Sequence, residues 1–294
     1  MTRPAGPAAS TSSFRDQFDR PVFIVSTPRS GSTLLFETLA QAPGLHTVGG
    51  ESHWLIEDIT AFSPAARGWG SNRLTAADAT PEPVEQLAQA FYTELRDRDG
   101  VRAEGRVRML EKTPKNALRV PFFDAAWPDA LFVYLYRDVR ETLSSMIEAW
   151  LSGAFRTYPR LPGWTGHPWS LLLVPGWQRL IGRPLPEVVA EQWAITSETL
   201  LGDLAALPRE RLRAVDYGEF LASPQPIADA LAQSLDLKWD RRLGPLPLSK
   251  TTVSKPRAGK WRSIEPVIEA VLPIVEKADS RARAFVEELT SPAT

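Results

Sequence analysis

The chain has 294 residues, of which 43% are hydrophobic and 23% are charged, and its net charge at pH 7 is -1. This composition is typical of one substantial globular α/β domain, or at most two small ones. The near-zero charge gives no overall attraction to nucleic acid or to an anionic membrane, so any anion must bind at a local cluster of cations. The sequence contains no cysteine, which excludes disulfides, thiolate catalysis and thiolate metal sites.

Metal sites and membrane spans are not predicted either. The three histidines, His46, His53 and His167, lack the spacing of metal ligands. No window approaches the roughly 20 apolar residues that a membrane span requires. Residues 1–18 lack the apolar core of a secretory signal, so we expect a disordered leader followed by a cytoplasmic domain over residues 19–294.

Strands and helices alternate along most of the sequence. Strands are predicted at 22–25, 45–48, 107–110, 130–136 and 212–216. Helices are predicted at 33–41, 81–98, 139–151, 185–205, 218–222, 226–235 and 264–288. A further helix is predicted within 55–73, and another between residue 116 and about residue 126. The alternation predicts a single α/β domain with a parallel sheet flanked by helices, whose ligands bind beyond the carboxyl ends of the strands.

Residues 152–186 interrupt this alternation. Trp164, Trp169 and Trp177 stand there among six prolines, with few periodic stretches. Long loops of this kind are uncommon unless they are functional, so the segment is predicted to form a ligand pocket or its lid, together with Trp54 and Trp69. Aromatic walls suit apolar or ring-bearing ligands, whereas plain core packing is the alternative for each tryptophan.

The most informative stretch is 21–35, with the sequence PVFIVSTPRSGSTLL. An apolar strand, a turn of small residues and the start of a helix follow one another, as in a P-loop-like anion cradle. Arg29 adds a forked cation. The backbone N–H groups that can close on an anion belong to Ser30, Gly31, Ser32 and Thr33. An ordinary connector between strand and helix is the alternative.

The same stretch does not fit the nucleoside-triphosphate pattern G-x-x-x-x-G-K-[ST]. Its sequence is TPRSGST, which lacks both the leading glycine and the lysine that follows the second glycine. A kinase or an ATPase is therefore disfavoured.

Polar clusters follow two further strands. Lys112 and Thr113 come after one of them, and Arg137 comes after the other, with Ser144 and Ser145 on the next helix. Each cluster alone fits a surface charge or a helix cap, but their convergence on one sheet edge favours a ligand with several negative charges. Ser145 lies roughly 10 Å along its helix, so a shared contact with Arg137 requires the intervening turn to fold back.

These motifs resemble those of the sulfotransferases that use phosphoadenosine phosphosulfate (PAPS). TPRSGSTLL is similar to their 5′-phosphosulfate loop, and Tyr136-Arg137-Asp138 with Ser145, eight residues after the arginine, is similar to their 3′-phosphate motif. The segment 252–262, TVSKPRAGKWR, is similar to the basic Gly/Trp segment that closes over the 3′-phosphate in that family. The matches run from about residue 21 to residue 262 in the family's order.

The resemblance implies a donor site for PAPS and its product PAP. The 5′-phosphosulfate would bind to Arg29 and to the amides of Ser30, Gly31, Ser32 and Thr33. The 3′-phosphate would bind to Arg137, Ser145 and Arg257, and adenine to Tyr217. The C-terminal motif adds Gly259, Lys260 and Trp261 as donor contacts.

Two departures from the family pattern indicate a subfamily. Arg29 stands where many cytosolic members have lysine, and Pro114 stands at the position of their catalytic histidine. Tyrosylprotein-sulfating and some bacterial members share the arginine and use a glutamate base, which implies Glu51 for that role here. His53 is the competing base, and a carboxylate that merely stabilises a helix N-terminus is the alternative for Glu51. Lys112, with Arg29, would stabilise charge on the leaving phosphate.

The sequence therefore predicts transfer of a sulfuryl group from PAPS to a hydroxyl of a small acceptor that is apolar or aromatic in part. A P-loop-like nucleotide kinase is one alternative, but it requires Mg²⁺ and a P-loop lysine. A non-catalytic nucleotide-binding module is another, and the presence of Lys112 and Glu51 beside the binding motifs argues against it.

Overall fold

The computed structural model describes residues 13–247 and 259–291. The strands in these ranges are β1 (Val22–Val25), β2 (Leu45–His46), β3 (Arg108–Lys112), β4 (Leu131–Tyr136), β5 (Arg156–Tyr158), β6 (Trp169–Ser170) and β7 (Leu212–Asp216). Five of them form a parallel sheet in the order β2-β3-β1-β4-β7, and β5 and β6 form a separate antiparallel pair.

Helices flank both faces of the sheet. The α-helices of the described ranges are α1 (Ser32–Leu39), α2 (His53–Glu57), α3 (Pro81–Glu94), α4 (Val120–Ala126), α5 (Val139–Ser152), α6 (Leu185–Leu204), α7 (Tyr217–Ala222), α8 (Pro224–Ser234) and α9 (Glu265–Thr290). Side chains of α3, α4, α6 and α9 cover one face, and those of α1, α7 and α8 cover the other. The predicted α/β architecture with one parallel sheet is confirmed.

β1 lies at the centre of the sheet because its side chains are apolar on both faces. Val22 and Ile24 pack with α1 and α8, whereas Phe23 and Val25 pack with the opposite helices, and all four are at most 1% exposed. Such continuous burial is expected of a central parallel strand. Ile24 pairs in register with Lys112 on β3, so the lysine lies directly beside the turn that follows β1.

The Pro-rich segment is more regular than the sequence indicated. It contains the short β5–β6 pair and a 3-10 helix at Trp177–Leu180. Strands of two or three residues are too short to show a period of two, which is why the sequence predicted only a loop here.

Residues 13–18 differ from the predicted disordered leader. They contain the 3-10 helix Phe14–Gln17, and Phe18 is buried and bridges to Val107. Phe14 and Phe18 supply apolar surface that the preceding Ser-, Ala- and Pro-rich residues lack. The folded part therefore begins no later than residue 13, and the rest of the predicted leader lies outside the described residues.

None of the helices in the described ranges combines the length and the apolar character that crossing a membrane requires.

Candidate active site

A cavity of about 950 Å³ lies at the carboxyl edge of the sheet. Each of the five parallel strands contributes the residues that follow it. These are Pro28, Arg29 and Gly31 to Leu34 after β1, Glu51 and His53 after β2, Pro114 and Lys115 after β3, Arg137 and Asp138 after β4, and Tyr217 and Gly218 after β7. This is the place where doubly wound sheets bind their ligands.

The turn after β1 has the backbone of an anion cradle. Arg29 and Gly31 both have left-handed backbone, with φ of 67° and 91°, and Gly31 is the N-cap of α1. A hydrogen bond of 2.8 Å between the hydroxyls of Thr27 and Ser30 closes the turn. The first N–H groups of a helix have no partner within it, so the amides at the start of α1 are suited to an anion in the cavity.

Arg29, Arg137 and Ser145 meet at one point. Arg29 Nε donates to Ser145 Oγ at 3.2 Å, and Arg137 Nη1 donates to the backbone oxygen of Arg29 at 3.0 Å. Burial, and then the charge of Arg137, lower the pKa of the Arg29 guanidinium. Two cations held this close favour a ligand that carries negative charge.

Tyr217 forms the wall next to this cluster. Its ring lies 5.2 Å from the Arg137 guanidinium, and burial raises the pKa of its phenol. It also packs directly on Gly31, where an added Cβ would lie only 2.2 Å from Tyr217 Cε2. The glycine thus serves both the left-handed turn and the close approach of the ring.

Lys112 joins the turn after β1 to the turn after β2. Its ammonium donates to Thr33 Oγ1 at 3.0 Å and to Glu51 Oε1 at 2.9 Å. The lysine side chain is 2% exposed, whereas the glutamate is 33% exposed and lines the cavity. The structure therefore places a carboxylate and a buried ammonium side by side where the cavity meets the N-terminus of α1.

His53 lies close to the same carboxylate. Its Nδ1 is 3.8 Å from Glu51 Oε2. Burial, and then the charge of Lys115, lower the pKa of His53 below its ordinary value of 6.5. The imidazole is therefore neutral near pH 7 and lies within the same wall of the cavity.

A buried charged cluster stands behind His53. Lys115 donates to both Glu57 oxygens at 2.8 and 2.7 Å and to the Tyr158 hydroxyl at 3.0 Å, and Arg119 donates to Glu57 at 2.7 Å. Burial lowers the pKa of Lys115 to about 8. Burial alone would raise the pKa of Glu57, but the two cations outweigh it and the pKa is lowered.

Sequence reasoning missed this buried cluster. Glu57 lies four residues after His53 on α2, and that helical spacing was the available signal. Nothing in the sequence shows that Lys115 and Arg119 turn inward, because solvated cations look the same as buried ones.

Two carboxylates on α5 hold the C-terminal part of the described chain. Glu141 accepts the backbone N–H of Gly259 at 2.7 Å and lies 3.5 Å from Arg137, and Glu148 accepts from Lys260 at 2.6 Å. Lys260 lines the cavity, whereas Gly259 lines a smaller neighbouring pocket.

Trp261 lies in the same smaller pocket as Gly259. The guanidinium groups of Arg140 and Arg262 lie 5.5 and 5.1 Å from its ring. Arg257 lies outside the described residues.

The tryptophans of the Pro-rich segment do not line the cavity. Trp164, Trp169 and Trp177 pack against one another with ring centroids 4.8 to 6.2 Å apart. The prediction that the segment lines a pocket is confirmed, because Ala154, Phe155, Arg156, Thr157, Leu171 and Leu172 belong to the cavity wall. The prediction of tryptophan walls is wrong, because these three rings fill the core beneath the segment, and Trp54 and Trp69 do not line the cavity either.

Replacing Gly31 with alanine should destabilise the fold more than the same change at Gly44. Both glycines have positive φ, but only Gly31 faces the Tyr217 ring, since nothing lies within 4 Å of a Cβ at Gly44. We expect Gly31→Ala to lose at least about 1 kcal/mol more free energy of unfolding than Gly44→Ala. Urea unfolding measures both, and equal losses would contradict the close packing of Tyr217.

Replacing Lys115 with methionine should raise the pKa of His53. Lys115 titrates near pH 8 and is therefore charged while His53 titrates, so removing its charge favours the imidazolium. The pKa should rise, because Glu51 and Glu57 then act on the imidazole without the opposing charge of Lys115. NMR titration of the histidine ring protons measures it, with Lys277→Met, an exposed lysine, as the control. An unchanged His53 pKa would contradict the coupling.

The comparisons with known proteins agree on one family. Residues 21–241 match the Sulfotransferase family. A putative protein-tyrosine sulfotransferase from Caenorhabditis briggsae is 30% identical over 131 residues, which cover 45% of this chain and 44% of that protein. Protein-tyrosine sulfotransferase A from Caenorhabditis elegans is 28% identical over 130 residues, which cover 43% of this chain and 32% of that protein. The matches thus cover less than half the length of these curated relatives.

Solved structures share the fold. A sulfotransferase from Alicyclobacillus acidocaldarius superposes with a TM-score of 0.51 at 14% identity, over 92% of this chain and 96% of that chain. A sulfotransferase from Mycobacterium avium gives a TM-score of 0.51 at 12% identity, over 93% of this chain and 69% of that chain. The family match runs from the residue before β1 to beyond α8. The chain therefore belongs to the sulfotransferase family.

Proposed function

We propose that this chain transfers a sulfuryl group from PAPS to the hydroxyl of a small-molecule acceptor, giving a sulfate ester and PAP. The observation that carries the proposal is the meeting of Arg29, Arg137 and Ser145 in the same cavity as the Lys112–Glu51 ion pair. The first group suits a ligand with several negative charges, and the second supplies a base next to a cation.

The donor that we propose has two anionic ends, which we assign to different residues of the cavity. Arg29 and the amides at the start of α1 would hold the 5′-phosphosulfate. Arg137 and Ser145 would hold the 3′-phosphate, and the Tyr217 ring beside Arg137 would contact adenine. The remaining residues that we assign to the donor are Arg257, Gly259, Lys260 and Trp261.

The chemistry divides between Glu51 and two cations. PAPS supplies an activated sulfuryl group, whose bond to the phosphate oxygen breaks as the acceptor oxygen bonds to sulfur. Glu51 takes the proton of the acceptor hydroxyl. Lys112 and Arg29 stabilise the negative charge that develops on the phosphate oxygen. The neutral His53 is the second candidate for the base, because it lies in the same wall.

The apolar part of the cavity lining supports a proposal for the character of the acceptor. Pro114, Phe155, Leu171 and Leu172 are apolar residues of the cavity lining. An acceptor that is apolar or ring-bearing in part, with a hydroxyl directed at Glu51, fits such walls.

One assay separates this proposal from the two alternatives. The protein is incubated with labelled PAPS and a panel of hydroxylated acceptors, in parallel with ATP and Mg²⁺. Label in the acceptor supports sulfuryl transfer, whereas turnover of ATP that depends on Mg²⁺ supports a kinase. Tight PAP binding without transfer to any acceptor supports a binding module.

Replacing Glu51 with glutamine should abolish transfer but keep donor binding. The amide cannot accept the hydroxyl proton, so we expect kcat to fall by about 10²- to 10⁴-fold. The affinity for PAP should change by less than about threefold, because Glu51 is assigned no donor contact. Steady-state kinetics and calorimetry measure the two effects, with the exposed Glu94→Gln as the control. Substantial remaining turnover would assign the base to His53.

Replacing Arg137 with alanine should weaken the binding of PAP. A charge-assisted hydrogen bond to phosphate contributes about 1.5–3 kcal/mol, so the Kd should rise roughly 10- to 150-fold. Arg209→Ala is the matched control, because that guanidinium contacts only Glu288 at the surface in the described hydrogen bonds and ion pairs. An unchanged Kd for Arg137→Ala would rule out the 3′-phosphate assignment.

A further inference from the structure

Glu111 is a buried carboxylate to which the proposed chemistry gives no role. It lies on β3, one residue before Lys112, and is 1% exposed. Burial raises the pKa of its carboxyl group, although its hydrogen-bond donors and Lys112 oppose that rise. A buried carboxylate is costly unless its neighbours satisfy it, so the identity of those neighbours indicates what it does.

All three hydrogen-bond partners of Glu111 donate to it. Oε1 accepts from Ser52 Oγ and from Thr113 Oγ1, each at 2.6 Å, and Oε2 accepts from Asn116 Nδ2 at 2.6 Å. The Thr113 hydroxyl also accepts the backbone N–H of Ser52 at 2.8 Å and lies 3.2 Å from Ser52 Oγ. Each Glu111 oxygen thus has a hydrogen-bond partner, and Ser52 and Thr113 share one of the two oxygens.

These bonds join two separate segments of the chain. The pairing of β2 with β3 runs from Leu45 opposite Arg108 to His46 opposite Met109. Beyond that register, Ser52 is tied to Glu111 and Thr113 by side-chain hydrogen bonds. Ser52 directly follows Glu51, and Thr113 directly follows Lys112, so each residue of this contact adjoins a group to which the proposed chemistry gives a role.

The geometry points to Glu111 as a positioning residue for the sulfuryl transfer proposed above, on which this inference rests. By holding Ser52 and Thr113 together, Glu111 sets the turn that carries Glu51 against the strand end that carries Lys112. The Oε1-to-Nζ distance of 2.9 Å in that ion pair is the result. We call the hydrogen bonds of Glu111 to Ser52, Thr113 and Asn116 the clamp. Because a misplacement of about 1 Å in an active site lowers the rate by about 10²-fold, loss of a bond in the clamp should lower kcat.

Glu111→Gln is the test. A glutamine keeps the size of the side chain, but its amide group replaces one acceptor oxygen with a donor, so one of the three donors loses its partner. We expect kcat to fall about 10- to 100-fold and the affinity for PAP to change by no more than about threefold, because the residues assigned to the donor, apart from Lys112, lie on other elements. Normal turnover in a folded Glu111→Gln protein would overturn the inference.

Two further variants separate positioning from stability. Ser52→Ala keeps the buried carboxylate and removes one bond of the clamp, so it should lower kcat in the same direction and combine non-additively with Glu111→Gln. Thr196→Ala removes a buried hydrogen bond of 2.6 Å inside α6, away from the cavity. It should lower the urea midpoint but leave kcat within about twofold. Additive losses from Ser52→Ala and Glu111→Gln would overturn the clamp.

A crystal structure of the Glu111→Gln protein measures the Glu51–Lys112 distance independently of turnover. We expect the Glu51–Lys112 contact to lengthen beyond hydrogen-bond distance or to split into two positions. A pair that stays at 2.9 Å would overturn the inference even if the fold is otherwise unchanged. If the wild-type protein transfers no sulfuryl group, the proposed function fails, and this distance still decides whether Glu111 positions the pair. Should Glu111→Gln not fold, the same distance is measured in Ser52→Ala.

Discussion

The arrangement of the site depends on the burial of one ammonium group. Lys112 ends β3 in register with Ile24, so its side chain emerges between the turns that follow β1 and β2. Removing an ammonium from water costs several kcal/mol unless partners replace the solvent. Thr33 and Glu51 are those partners, and each belongs to a different turn. Because the buried Lys112 ammonium needs both partners, it fixes the relative position of the ends of β1, β2 and β3.

The two sides of the cavity differ in how far their cations are neutralised by carboxylates. Arg29 and Arg137 lie together on one side of the cavity and favour an anionic ligand. On the other side, the cations Lys115 and Arg119 are already neutralised in part by Glu57. The side of Arg29 is therefore the stronger anion site, while the other side has a neutral imidazole. The proposed reaction requires such an asymmetry, because its donor is highly charged and its acceptor is less charged.

The sequence predicted the parallel sheet and the turn of small residues between β1 and α1. Continuous apolar runs identified β1 and β4, and the small residues before α1 identified the turn, because both signals are local. The meeting of Arg29 with Ser145 was not predictable, since it depends on how α5 is placed across the cavity. In the clamp around Glu111, the bond to Ser52 was missed for the same reason, because Ser52 lies 59 residues away in the chain.

The packing of the tryptophans has a consequence for engineering. Trp164, Trp169 and Trp177 stabilise the Pro-rich segment from beneath, while Phe155, Leu171 and Leu172 present it to the cavity. Leu172 belongs to both sets, because it lines the cavity and is also a buried member of the tryptophan cluster, whereas Phe155 lines the cavity from outside that cluster. Phe155 is therefore the position of this segment at which a library for an altered acceptor range of the proposed reaction can be diversified without dismantling the tryptophan core.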